Sequence, residues 1–176
     1  PELGLQLPRT QQRILDSLTG LGLSITLGES TTSVVADLDT GKPGPTVLLR
    51  GDMDALPLQE DYESPFQSKI EGVMHACGHD SHVAMLASAA RLLSENKSEL
   101  TGKVRFMFQP GEEGFHGAKY MIEEGVLDGV DRALETRGLA RGTRRRRERR
   151  ASCRRETPRQ ALRHRVGGLE AASGQG

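Results

Sequence analysis

The chain has 176 residues, and its 24 Lys and Arg side chains balance 24 Asp and Glu, giving a formal net charge of zero. The balance hides two opposed parts: residues 1–134 hold 11 basic and 20 acidic side chains, net −9, and residues 135–176 hold 13 and 4, net +9. That length allows one ordinary domain, and no apolar run of about 18 residues is present to cross a bilayer.

The first residues lack the charged-then-apolar layout of a secretory signal, and the chain opens on Pro1 rather than Met, consistent with a fragment or a processed product. Cys77 lies among histidines and Cys153 among arginines, which does not suggest a disulfide framework. The expected setting is therefore reducing and cytoplasmic.

In chain order, Ile14, Leu15 and Leu18 recur at helical spacing over residues 9–20, with Gly20 and Gly22 as stop signals. Residues 31–39 and 46–50 are rich in β-branched and aliphatic side chains. Between them stands a Thr-Gly-Lys-Pro-Gly-Pro run, so two strands joined by a turn are expected. Val83, Leu86, Ala87, Ala90 and Leu93 step by three or four and mark one face of a helix over residues 81–96. Val104, Phe106 and Phe108 alternate with Lys103 and Arg105, the pattern of a strand with Met107 on its less apolar face. A short helix over residues 118–124 ends at Gly125. Strands alternating with helices predict an α/β, three-layer sandwich around a mixed, largely parallel sheet.

The last 42 residues contain 13 Arg but no Lys, Asp, Asn, Ile, Met, Phe, Tyr or Trp. Too little bulky apolar surface is present to offset chain entropy, and disorder is expected there. The domain boundary accordingly falls at 134/135.

Three polar clusters stand at element boundaries: Asp52 and Asp54 after the strand TVLLR, His75 to Asp80 before a helix, and Glu112-Glu113 after the strand KVRFMF. In open α/β sheets ligands bind at the carboxyl ends of strands, so the loops after two parallel strands open on one edge. Cys77 and His79 offer a thiolate and an imidazole, donors suited to zinc, manganese, cobalt or nickel. Adjacent glutamates on an extended loop point apart, so one can ligate a cation while its neighbour moves protons.

Each cluster has a plainer reading: a small buried cysteine, a solvated acidic loop, or aspartates that form turns. A closed structural zinc site of His75, Cys77, His79 and His82 ranks last, because the spacing lacks paired-ligand knuckles.

The strings RGDMDALP (residues 50–57), MHACGHDSHVAML (74–86) and FQPGEEG (108–114), followed by GAKYMIEEGVLDGVD (117–131), resemble the metal-dependent amidohydrolases typified by hippurate hydrolase, N-acyl-amino-acid amidohydrolases and plant auxin-conjugate hydrolases. The resemblance covers residues 15–131. It implies a zinc-peptidase-like catalytic domain, two divalent metal ions (Zn, Mn, Co or Ni) and hydrolysis of the amide bond of small-molecule N-acyl amino acids. It further implies Cys77, His79 and Glu113 as metal ligands, Glu112 as general base, and Asp54 as the residue that orients a ligand or tunes the metal. Asp52 stands where many relatives have a ligand histidine and is left outside the metal set.

Relatives continue with a strand bearing a ligand histidine, a lid or dimerisation domain through which they homo-oligomerise, and a further ligand histidine. None of this pattern follows Leu134, and the composition of residues 135–176 is that of a GC-rich gene read out of frame. The expectation is the N-terminal part of a catalytic domain, inactive by itself, with an unrelated basic end. The alternative function is binding of nucleic acid or an acidic partner through the RRRRERR run at 144–150. No aromatic side chain is interleaved there to stack on bases, so nucleic acid is the less favoured partner.

Overall fold

The computed structural model describes residues 1–135. The disordered-tail expectation and the Arg-rich binding segment both fall outside these residues.

The elements follow as α1 (Pro8–Leu18), β1 (Ser24–Leu27), β2 (Val34–Asp39), β3 (Thr46–Asp52), α2 (His79–Glu95), a single 3-10 turn (Lys97–Glu99), β4 (Lys103–Gln109), α3 (Gly117–Glu123) and β5 (Arg132–Glu135). They build one five-stranded sheet in the order β1-β2-β4-β3-β5. Pairing is antiparallel from β1 to β4 and parallel from β4 through β3 to β5. This is the expected mixed α/β sheet.

Both faces of the sheet are covered, which makes three layers. On one face Ile14 and Leu18 of α1 and Leu86 and Ala90 of α2 pack with Val34, Ala36, Leu38, Phe106 and Phe108. On the other, Met121 and the turn after α3 (Val126, Leu127, Val130) pack on Leu48 and Met107. Met107 is fully buried, on the face that carries the smaller core. As the middle strand of five, β4 has a core on each side.

The turn at residues 40–45 does connect two strands, but not into a hairpin, because β4 lies between β2 and β3. The turn instead grips the start of β4. Gly102 N–H donates to Lys42 O (3.0 Å), Lys103 N–H to Pro45 O (3.0 Å) and Thr40 N–H to Gly102 O (3.2 Å). Gly102 has φ +74, and a Cβ there would stand 2.1 Å from Pro45 O, so only glycine lets the two segments approach.

Two strands have no clear pattern in the sequence. All four residues of β1 are exposed, and β5 buries none of its residues fully. Edge strands of four residues show no alternation to detect.

Helix α1 starts at Pro8, a residue suited to a first turn, with no capping side chain at Leu7. Its free N–H groups are met from outside the helix. The Glu2 carboxylate accepts from Thr10 N–H (2.7 Å) and Arg9 N–H (3.2 Å).

Candidate metal centre

The register sets the site. Because β3 and β4 are parallel with Asp52 opposite Gln109, the segments that leave them, carrying Asp54 and Glu112-Glu113, emerge on one sheet edge. The long connection over residues 53–78 is closed by paired hydrogen bonds between Leu56 and Met74 (2.9 and 3.1 Å), which return the chain beside Asp54. There Gly78, at φ +78, turns it into α2.

The buried stripe of α2 holds Leu86 and Ala90 and continues toward the N-terminus as His82 and His79. These two rings stack with centroids 5.5 Å apart. Close packing of α2 on β3 relies on Gly51, where a Cβ would lie 3.2 Å from the His82 carbonyl oxygen.

Asp54 is 1% exposed and organises the centre. One carboxylate oxygen accepts the Glu112 N–H (3.0 Å) and the other the Glu113 N–H (2.9 Å), so a single side chain fixes the backbone of both glutamates. Its main-chain oxygen lies 2.8 Å from His79 Nδ1. A carbonyl can only accept, so Nδ1 carries the proton and Nε2 is left to bind a cation. That Nε2 faces Asp52 Oδ1 at 3.5 Å and oxygens of Glu112 and Glu113, each at 3.8 Å.

Cys77, His79 and Glu113 bring one donor each within 4.8 Å of one another. Cys77 is a free, exposed thiol. Asp52, His79 and His82 form a second such group, but Asp52 already has strong partners: Arg50 Nη1 at 3.0 Å and His82 Nδ1 at 2.5 Å. Arg50 also reaches Glu135 (2.6 Å) and donates to Gln109 Oε1 (2.8 Å). Neither group includes His75, so the four donors of the structural-zinc alternative do not converge among the described residues.

Acidic groups outnumber cationic ones in this space, where Asp52, Asp54, Glu112 and Glu113 meet Arg50 and His79. Burial, then the Glu113 hydrogen bond and the charges of Glu113, Glu112 and Asp52, push the Cys77 thiol up to about 12. Burial works to lower His79. The hydrogen bond to Asp54 and the charges of Asp52 and Asp54 outweigh it, and the imidazole is held up at about 9. Glu112 is raised by burial, then by Asp52 and Glu113, against the opposing pull of Arg50 and His79. A thiol, an imidazole whose Nε2 faces Asp52, Glu112 and Glu113, and those clustered carboxylates are donors that fit a divalent cation able to displace the thiol and Nε2 protons.

All five residues predicted for the site thus stand at one strand-end edge. Cys77, His79 and Glu113 converge, Glu112 faces the same imidazole nitrogen, and Asp54 anchors both segments. Arg50 stood in none of the sequence expectations for the site, and His82 stood only in the structural-zinc alternative. Both had a signal, since Arg50 is two residues before Asp52 on one strand face and His82 is three after His79 on one helix face.

Comparison with known proteins agrees with this geometry. The family model described as Peptidase family M20/M25/M40 matches residues 48–151. The chain is 44% identical over 137 residues to an N-acyl-L-amino acid amidohydrolase of Geobacillus stearothermophilus, covering 77% of this chain and 37% of the relative. It is 49% identical over 134 residues to thermostable carboxypeptidase 1 of Saccharolobus solfataricus, covering 74% and 34%. A crystal structure of a dinuclear metal-binding peptidase of the M20 family from Bacillus subtilis superposes with a TM-score of 0.73 at 42% identity, covering 77% and 38%. The chain thus spans about a third of the length of the relatives it matches. By the extent of the family match and the identity to these relatives, the chain belongs to Peptidase family M20/M25/M40.

Proposed function

We propose that this chain carries the first part of the catalytic site of a metal-dependent amidohydrolase that cleaves N-acyl amino acids into a carboxylate and a free amino acid. The observation that carries the reading is the convergence of Cys77, His79 and Glu113 on one point, with Glu112 beside it and Asp54 fixing both glutamates. Relatives named N-acyl-L-amino acid amidohydrolase and N-acetyl-L-cysteine deacetylase supply the substrate class.

In this reading Cys77, His79 and Glu113 hold metal, and the described residues contribute three ligands of a two-metal set. Bound divalent ions of this kind supply Lewis acidity to the scissile carbonyl and acidify water. Glu112 accepts a proton from the attacking water and passes it to the leaving amine. Burial and the neighbouring Asp52 and Glu113 carboxylates raise its pKa, which makes it a stronger base than a solvated carboxylate. Asp54 keeps the base and its neighbouring ligand at fixed separation and holds His79 in the ligating tautomer. A reducing, cytoplasmic setting, which preserves the Cys77 thiol, belongs to the same proposal, as does the inactivity of the 176-residue chain by itself.

Equilibrium dialysis with zinc, manganese, cobalt and nickel tests the metal set. Uptake by the parent chain and at least about tenfold weaker uptake by Cys77→Ser are expected. No uptake of any of the four ions refutes the reading. Turnover is tested by Glu112→Ala in a full-length relative, where loss of about 100-fold or more in kcat is expected.

A further inference from the structure

The turn that carries Glu112 and Glu113 is tied to Asp54 by backbone N–H groups alone and has glycine at both ends, Gly111 at φ +64 and Gly114 at φ +81. Such a turn has several accessible conformations; besides Asp54, it is held by Gly117 N–H donating to Gly111 O (3.0 Å) and Gly114 N–H to Glu112 O (2.8 Å), and one flank is left to be held by packing. The N-terminal segment, residues 1–7, lies against it.

That segment is pinned in two places. Glu2 O accepts the Ala55 N–H (2.8 Å) and Leu3 bridges Ala55 in parallel, one residue beyond Asp54. Further along, Leu5 O accepts from Thr32 N–H (3.1 Å) and the Thr32 hydroxyl (3.0 Å), and Leu7 N–H donates to that hydroxyl (2.7 Å). Between the pins, Gly4 and Leu5 meet the glutamate turn. A Cβ on Gly111 would stand 2.5 Å from a Leu5 methyl and 3.0 Å from Phe115 Cβ, and a Cβ on Gly4 would stand 3.4 Å from the Phe115 ring. The Leu5 side chain therefore occupies the space into which the backbone just before Glu112 could otherwise shift.

We propose that Leu5 is a positioning residue for the Glu112-Glu113 pair, wedging the turn against Asp54 so that the base and the ligand keep their separation. The role of the pair rests on the reading above. The placement of the turn does not, and the two can fail separately. The segment is pinned to Ala55, next to Asp54, and to Thr32 beside the β2 end of the sheet, so Leu5 is held by the same framework that holds the site.

Amide hydrogen exchange and Co(II) titration of the 176-residue chain test this. Leu5→Ala is expected to speed exchange of the Glu112 and Glu113 amides about tenfold relative to the amides of β3 and β4, and to weaken Co(II) binding about tenfold with an altered visible spectrum. Leu5→Met, which refills the space, restores both readouts. Leu5→Val shows the same signature in smaller measure and serves if the alanine variant does not fold. Ile14→Ala, in the core between α1 and the sheet, lowers thermal stability without this local signature. If Leu5→Ala changes exchange at Glu112 and Glu113 only in step with β3 and β4, the proposal is overturned, whatever happens to Co(II). If the parent chain takes up no Co(II) while the local exchange response appears, the metal reading falls and the positioning role stands.

Discussion

Helix α2 buries a single stripe whose two halves obey different physics. Leu86 and Ala90 pack among hydrocarbon from β2, β4 and α1; His79 and His82, on the same stripe, meet Asp52, Asp54 and the glutamates. In the first half burial alone is favourable, at about 25 cal/mol per Å² of apolar surface. In the second half burial is unfavourable and is tolerated because each group is a partner of another. One half supplies stability, and the other gathers imidazoles and carboxylates around one point. Substitutions in the two halves should therefore have separable consequences.

The largest expected effect falls in the core against which the apolar half packs. Phe106 is fully buried in the core beside Leu86, and Phe106→Ala should cost about 3–5 kcal/mol of stability by denaturant unfolding. The molecules that remain folded should keep the parent's metal affinity. A large affinity change would show that the two halves are not independent.

Asp54→Asn comes next. The amide keeps one acceptor for a glutamate N–H and turns an N–H₂ toward the other, which costs about 1–3 kcal/mol. Here metal affinity should fall with stability, by about 10- to 100-fold. An Asn variant that unfolds more easily but binds metal as the parent does would deny Asp54 its organising role.

A separate effect lies in pH. Without metal, the Cys77 thiol near 12 and the His79 imidazole near 9 both hold their protons at neutrality. A cation must displace them, so affinity should rise with pH between about 6 and 9, by about tenfold per unit for each proton displaced. Titration in weak buffer should release acid. The metal-free stability runs the other way. The folded pKa of His79 exceeds its ordinary 6.5, so its stabilising contribution is complete below 6.5 and is lost as pH rises through about 9. Unfolding curves with and without metal across that range check both signs.

Much of this was legible before any coordinates. The Val83 to Leu93 spacing and the Val104, Phe106, Phe108 alternation each reflect a buried face, and they located α2 and β4 to within two residues. The site clusters were legible because loops after parallel strands must share an edge. What escaped was non-local. No local pattern says that β4 inserts between β2 and β3, since the insertion depends on pairings such as Thr46 with Lys103 and Val34 with Phe108, far apart in the chain. The partners of Arg50 are likewise set by register: Glu135 and Gln109 come from the two strands that flank β3. Met107 was expected on the less apolar face; that it is fully buried there was not legible, because its covering layer, α3 and the turn after it, follows later in the sequence.

The central claim, that Cys77, His79 and Glu113 form one cation site, is tested most directly by the absorption spectrum of the Co(II)-loaded chain. A thiolate-to-Co(II) charge-transfer band in the near ultraviolet is expected, absent in Cys77→Ser and weakened in Glu113→Gln. Uptake of Co(II) with no such band, or with a band that survives Cys77→Ser, would contradict it.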